Sequence, residues 1–216
     1  MGRPKLIVTA GPTREHIDPV RFISNPSTGK MGFAVARAAA KRGFETVLIA
    51  GPVSLSTPAG VRRVDVVSAR QMLDAAVREL ESGTPAVLVA TAAVADWRPA
   101  VCAASKLKKR DMKPVIRLVR NPDILKHVRG LYPDRDDLKL VGFAAETDNV
   151  LAEAARKCRE KGLEFIVAND VTEKGCGFAV DTNRVTFVYP DGECAALPKT
   201  TKLRVAGRIV DEILGF

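Results

Sequence analysis

Histidine is nearly missing from this chain: of 216 residues, only His16 and His127 are of that type. The four cysteines, Cys102, Cys158, Cys176 and Cys194, stand far apart with no C-x-x-C pair, so no zinc site of familiar spacing can be assembled. Neither histidine has a nucleophile in a recognisable triad with it, which removes the usual Ser-His and Cys-His hydrolases. Unpaired thiols fit a reducing compartment. No apolar run approaches the ~18 residues of a membrane span. The opening "MGRPKLIVTA" is too short for a signal segment and has no cleavage site. A soluble cytoplasmic protein without membrane attachment is expected.

What the chain does have is positive charge, in one place. The formal net charge is +9. Seven cations, Lys106, Lys108, Lys109, Arg110, Lys113, Arg117 and Arg120, face the single anion Asp111, so this stretch carries 7 − 1 = +6. Such a cluster attracts a polyanion, a phosphorylated small molecule or nucleic acid; a solvated basic loop is the plainer alternative. Aromatic residues make up 5% of the chain and none lies in the cluster, which argues against stacking on single-stranded nucleic acid.

With 46% hydrophobic residues the chain can bury a full core, and no linker, repeat or composition break divides it, so one domain over residues 1–216 is expected. Apolar runs of strand length alternate with segments of helical period. "KLIVTA", "ETVLIA", "VRRVDVV", "PAVLVAT", "PVIRLV", "KLVGFA", "LEFIVAN" and "RVTFVY" read as strands. Residues 32–42, 69–80, 121–131, 149–162 and 201–214 read as helices, the first with Phe33, Val35, Ala36 and Ala39 facing a core. This alternation predicts an α/β fold: a three-layer, Rossmann-like, mostly parallel sheet with helices on both faces. The Pro190-Asp191-Gly192 turn between "RVTFVY" and "ECAALP" predicts a C-terminal antiparallel hairpin.

The loop "SNPSTGKMG", Ser24 to Gly32, invites a dinucleotide reading and fails it. A nicotinamide fingerprint sets G-x-G-x-x-G directly after the first strand, whereas here a long insertion separates Gly11 from Gly29 and Gly32. The second strand ends Ile49-Ala50-Gly51-Pro52, without a carboxylate for a ribose. A phosphate-binding P-loop fails as well, since Lys30 is followed by Met31 and Ser24 stands in the place of the first glycine. A helix opening near Gly29 can still hold an anion on its free N–H groups, helped by Ser27, Thr28 and Lys30. Ligands of open parallel sheets bind beyond the carboxyl ends of the strands. "AGPTRE", "AAVADW", "GFAAET" and "ANDV" all fall there, offering small residues for a flat ring and Asp96, Glu146 and Asp170 as acceptors.

Taken together and in order, "VTAGPTREHIDPVRFISNPSTGKMG", "AAVADWRP", "KLKK", "NPDIL", "VGFAAET", "ARKCREKG" and "VANDV" resemble the phosphopantothenoylcysteine synthetases, from Ile7 to the final helix. The departures are small: His16 stands where a proline or similar residue is expected, and Thr28 replaces a frequent serine. The resemblance implies a ligase that activates 4′-phosphopantothenate with CTP as an acyl-cytidylate, releasing pyrophosphate, then joins it to L-cysteine with release of CMP.

It also implies roles. Asn25 would hold the acyl-cytidylate, with a helix cap or turn as its plainer role. Lys106 would reach over the triphosphate from a flexible flap. Ala90, Thr91 and Ala92 would lie along the nucleotide, and Asp96 would take a polar edge. Pro122, Asp123, Ile124 and Leu125 would contact the nucleotide at a helix start, where Asn121 can cap. Phe143 would pack on base or ribose, or else in the core. Lys157 and Lys161, four apart and so on one helical face, would bind phosphate. Gly11, Gly29 and Lys30 are assigned to the substrate phosphate. Mg²⁺ is expected with the triphosphate, its ligands not readable. A homodimer is expected, the C-terminal hairpin offering an edge for it.

In the usual bacterial arrangement a flavin-dependent decarboxylase precedes such a synthetase. No flavin is expected in this chain, which is either a stand-alone synthetase or a domain of a longer protein. Two rival readings stay open on sequence alone. An NAD(P)-dependent oxidoreductase would use the Ala-rich helix and glycine loop; a nucleic-acid-binding module would use Lys106 to Arg120.

Overall fold

The computed structural model describes residues 3–110, 115–146, 149–170, 177 and 180–215, with the side chains of Glu146 and Asp170 excepted. Asp111, Lys113 and Cys176, and the acceptor roles expected of Glu146 and Asp170, therefore lie outside the described residues. In chain order the elements are β1 (Lys5–Ala10), β2 (Arg14–His16), β3 (Phe22–Ser24), α1 (Lys30–Lys41), β4 (Thr46–Ala50), β5 (Val61–Asp65) and α2 (Ala69–Leu80). Then come β6 (Ala86–Ala90), β7 (Trp97–Pro99), β8 (Leu118–Arg120), α3 (Ile124–Leu131), β9 (Leu138–Glu146) and α4 (Val150–Glu160). β10 (Phe165–Asp170), β11 (Thr182–Val188), β12 (Cys194–Thr201) and α5 (Lys202–Ile213) complete the chain.

Eight strands form one sheet in the order β12-β11-β10-β9-β6-β1-β4-β5. β5, β4, β1, β6, β9 and β10 run parallel, while β11 and β12 pair antiparallel beyond β10. The chain winds from β1 outward through β4 to β5, returns to β6, and winds the other way through β9 to β10. Its direction thus reverses between β1 and β6, which is where a doubly wound sheet opens a crevice.

Near-continuous apolar runs suit strands covered on both faces. Successive β1 side chains alternate: Leu6, Val8 and Ala10 pack under α1 and α5, and Ile7 packs under α2, α3 and α4. Phe33, Val35, Ala36 and Ala39 of α1 are all buried, as their spacing requires. Each large apolar side chain so buried contributes ~1.5–3 kcal/mol. Gly32 brings α1 onto the sheet, because a Cβ there would run into Thr91 Oγ1 and Ala10 Cβ.

Ser68 caps α2 in a full capping box with Gln71. The turn after β11 closes as its Pro-Asp-Gly predicts, with Gly192 at φ 95° and its N–H donated to Tyr189 O at 3.1 Å.

Three readings need correction. "PVIRLV" is not a strand of the central sheet; only Leu118–Arg120 is extended, and it pairs antiparallel with Trp97–Pro99. β2 and β3 form a second small pair. Each of these four strands is three residues long with little buried face, so neither alternation nor an apolar run announces it. The third helix starts at Ile124 and its N-cap is Asp123, which accepts from Lys126 N at 3.1 Å. Asn121 is not the cap.

Candidate functional site

The crevice at the β1–β6 reversal is a cleft of about 450 Å³. Its back wall is main chain. Thr91 N–H donates to Thr9 O at 3.2 Å, Ala93 N–H to Gly11 O at 2.9 Å, and Thr13 N–H to Ala93 O at 3.3 Å. The side chains of Thr9 and Thr13 accept from Ala92 N and Ala95 N, and Thr91 Oγ1 donates to Thr9 O at 2.6 Å. The segment after β6 is thereby stitched to the segment after β1, and residues 91–95 keep an extended, small-residue wall that a planar ring can approach.

Asn25 reaches this wall from the loop between β3 and α1. Its Nδ2 donates to Ala93 O at 3.1 Å and Val94 O at 3.2 Å. It is not the cap of α1: Gly29 is, at φ 76° and without a side-chain bond. Asn121 serves the same wall from the other side, donating Nδ2 to Ala95 O at 2.8 Å and accepting from Arg98 Nη1 at 3.1 Å.

The facing wall comes from α3, α4 and the end of β9. Pro122, Asp123, Ile124 and Leu125 line it, with Phe143, Lys157 and Lys161. Lys161 Nζ is 2.7 Å from Asp123 Oδ2. Partial burial pushes the Asp123 carboxyl up, but Lys161 and the Lys126 N–H outweigh it and hold the group below its ordinary value. The carboxylate is thus ionised and presents Lys161 at the cleft.

A smaller cavity of about 50 Å³ adjoins the cleft and shares Thr91, Phe143 and Ala145 with it. Ser27, Thr28, Gly29 and Lys30, at the start of α1, form one side; Asn169, Asn183 and Lys202 form another. Lys30 pairs with Asp181 at 2.7 Å. Lys202 is buried and donates to Gly177 O at 3.0 Å and to Val180 O.

Of the residues expected from sequence, Asn25, Ala90, Thr91, Ala92, Asp96, Pro122, Asp123, Ile124, Leu125, Phe143, Lys157 and Lys161 line the one cleft. Gly29 and Lys30 line the smaller cavity beside it. Gly11 and Lys106 line neither. Gly11 (φ 79°) lies against Gly51, Val53 and Gly29, beneath the loop rather than in the cleft. Lys106 is exposed on the segment between β7 and β8.

Sequence reading missed Thr9, Asn183 and Lys202, and reached Ala93, Val94 and Ala95 only within the small-residue stretch "AAVADW". The wall works through backbone groups, which leave no side-chain signature. Asn183 and Lys202 come to the cavity only through the antiparallel hairpin and α5. Among the described residues no group of three or more His, Cys, Asp or Glu is placed to hold a metal ion. No helix is long and apolar enough to cross a membrane, again among the described residues.

The sequence profile of the DNA/pantothenate metabolism flavoprotein C-terminal domain matches residues 1–216. Curated relatives are named coenzyme A biosynthesis bifunctional protein CoaBC. Those of Vibrio vulnificus (strain YJ016) and Bacillus subtilis (strain 168) are each 44% identical, over 96% of this chain and 51% and 50% of their own length. That of Escherichia coli (strain K12) is 44% identical over 97% of this chain and 51% of its own. The chain thus spans about half the length of these relatives.

Among solved structures, the C-terminal domain of a CoaBC superposes with TM-score 0.78 at 43% identity, covering 97% of this chain and 93% of that one. The DNA/pantothenate metabolism flavoprotein from Streptococcus pneumoniae shares the fold at TM-score 0.80 and 23% identity, over 99% of both chains. A cleft built from scattered segments, the profile match over every residue and the shared fold lead to one assignment: the chain belongs to the DNA/pantothenate metabolism flavoprotein C-terminal domain family.

Proposed function

We propose that the chain, as one synthetase unit, is the phosphopantothenate–cysteine ligase half of coenzyme A biosynthesis. It activates 4′-phosphopantothenate with CTP and transfers the acyl group to L-cysteine. The observation that carries this is convergence: twelve residues assigned by resemblance, from separate stretches of chain, line one cleft at the sheet's reversal point. The high identity to CoaBC proteins supports the same reading.

The substrate carboxylate attacks the α-phosphate of CTP, its oxygen forming the new P–O bond as pyrophosphate leaves. The cysteine amine then attacks the acyl carbon, the C–O bond to CMP breaks, and the ammonium proton is lost to solvent. Neither step asks the protein for a covalent nucleophile, so alignment and charge neutralisation supply the rate.

The main-chain wall at residues 90–95 receives the cytidine. Lys157 and Lys161 meet the phosphates from α4, and the N–H groups at the start of α1 meet a phosphate in the adjoining cavity. Asn25, fixed on Ala93 and Val94, stands beside the reacting carboxylate. Magnesium would accompany the triphosphate and offset part of its charge, with Asp96 the residue able to hold it. The cleft's donors fit that arrangement, since Asp123 is committed to Lys161 and Asp96 is the exposed carboxylate.

A homodimer in the cytoplasm completes the proposal, through a face other than the C-terminal edge. β12 carries Pro198 and Lys199, both of which discourage edge pairing. Val20, Phe22, Trp97, Val101, Val115 and Leu118 are instead exposed on and around the two small strand pairs, where β2 packs on β7. Sedimentation of the wild type against a Val101→Asp, Val115→Asp variant tests this face; a dimer that survives both charges rules it out.

The ligase reading is tested by pyrophosphate release from CTP and from ATP with 4′-phosphopantothenate and Mg²⁺, each with and without L-cysteine. Sustained release with CTP that requires cysteine is expected. Folded protein that releases none in any combination contradicts the proposal for this chain.

A further inference from the structure

The segment carrying Lys106 leaves the β7–β8 pair where Ala100 N–H donates to Arg117 O at 2.9 Å. Farther out it meets the turn between β2 and β3. Ala103 N–H donates to Ile17 O at 2.9 Å. Leu107 N–H donates to Asp18 Oδ2 at 3.2 Å, and Leu107 O accepts from Arg21 Nη2 at 2.8 Å. Both polar groups of the residue next to Lys106 are thus held by the two members of one ion pair.

That pair is built for the purpose. The Asp18 side chain is 0% exposed and that of Arg21 41%. Asp18 Oδ1 accepts from Val20 N at 2.8 Å and Arg21 N at 2.9 Å, and Oδ2 accepts from Arg21 Nε at 3.0 Å and from Arg21 Nη2. A buried carboxylate is tolerated only when paired and fully bonded. Here the fifth donor, beyond those within the turn, is the Leu107 N–H. The Arg21 contact, reinforced by the three backbone donors against the effect of burial, holds the group far below the ordinary carboxylate range. It therefore stays an acceptor under all ordinary conditions.

The chain runs from this turn through β3 straight to Asn25, which is fixed on the cleft wall. One hairpin therefore carries Asn25 at its exit and grips the neighbour of Lys106 at its turn. We infer that the Asp18–Arg21 pair is a socket for Leu107 that sets the position of Lys106 relative to Asn25, making Asp18 and Arg21 positioning residues of the ligase. The placement stands on the hydrogen bonds; its consequence for activity rests on the ligase reading above.

Two measurements on the whole chain separate these. Limited trypsin digestion of the folded, unliganded protein reads the socket without any activity. In Arg21→Gln and Asp18→Asn, cleavage after Lys106, Lys108, Lys109 and Arg110, followed by mass spectrometry, is expected to speed up about tenfold or more, as loss of a charged hydrogen bond implies. Cleavage elsewhere stays at the wild-type rate, apart from the bond after residue 21 that Arg21→Gln removes as a trypsin site. Rates at these four bonds within twofold of wild type overturn the socket. Should Asp18→Asn not fold, the partly exposed Arg21 decides alone.

The second measurement is CTP-dependent pyrophosphate release by Arg21→Gln with and without Lys106→Ala. Acting through Lys106, Arg21→Gln lowers kcat about tenfold with KM for CTP within threefold, and costs nothing further once Lys106 is alanine. Multiplying losses in the double variant overturn the positioning role. Absence of release by the wild type overturns the ligase reading, and the digestion still decides the socket.

Discussion

On the proposed reading, the back wall of the cleft and the basic segment from Ala100 to Arg120 would solve the same problem, the handling of a charged ligand, by opposite means. The wall is bound backbone to backbone at the sheet's reversal point, with Ala90, Ala92 and Val94 packed on the core under α2, α3 and α4, and is committed before any ligand arrives. The basic segment contributes most of the chain's net charge, with Lys106, Lys108, Lys109, Arg110, Arg117 and Arg120 exposed, and is gripped at Leu107 by one ion pair. A wall made of peptide groups gives fixed geometry and little charge. A lysine-rich segment gives charge, with geometry borrowed from the turn that holds it. On the proposed ligase reading, recognition of the nucleotide would belong to the first and neutralisation of developing phosphate charge to the second.

The comparison breaks most sharply at two residues that hold the wall. Asn25→Ala removes the donor that joins the α1 loop to the wall, and a loss of about 100-fold in kcat is expected, as for misplacement of a positioned reactant by about 1 Å. Steady-state pyrophosphate release checks it, with unchanged secondary structure by circular dichroism as the control. Gly32→Ala attacks the wall itself. Its Cβ enters the space of Thr91 and Ala10, and overpacking at this rigid contact costs about 2–3 kcal/mol in urea unfolding. An equal change at Gly130, where a Cβ meets nothing within 4 Å, has no steric cost and serves as the control.

Smaller effects sharpen the picture. Asp123→Asn releases Lys161 and lowers stability at neutral pH by about 1 kcal/mol or less, the pair being partly exposed. Because the folded carboxyl is held below its ordinary value, the wild type keeps this advantage at and above the ordinary carboxylate pKa of about 3.9. It loses it only as pH falls through the lowered folded value. Unfolding curves of the two proteins from pH 7 downward should therefore converge only below the ordinary carboxylate pKa. Smallest is a difference in thiol labelling. Exposed Cys102 and Cys194 react with iodoacetamide at neutral pH, whereas Cys158 does not until the protein unfolds, since burial pushes its thiol up to about 11.

The same contrast explains what could be read from sequence. Strands such as "KLIVTA" and "AVLVA" are legible because both faces are buried and every residue is apolar. α1 and α2 are legible from their apolar period. The short strands Arg14–His16, Phe22–Ser24 and Trp97–Pro99 are not, for they hold each other rather than a core. Side-chain parts of the cleft, such as Lys157 with Lys161 and the Pro122–Leu125 helix start, follow from resemblance and spacing. Ala93 to Ala95 are legible only as small residues beyond a strand end, because a backbone wall looks like any such stretch. The Asp18–Arg21 grip on Leu107 joins groups 86 and 89 residues apart and leaves no local pattern at all.

The division of labour is tested most directly by calorimetric titration of CTP with Mg²⁺ into the wild type, Lys157→Met and Lys106→Met. If the cleft is the nucleotide site, the wild type binds one CTP, Lys157→Met weakens binding about tenfold as one charged hydrogen bond is lost, and Lys106→Met stays within about threefold. Equal affinity for wild type and Lys157→Met, or a larger loss in Lys106→Met, would place recognition on the basic segment and contradict the account.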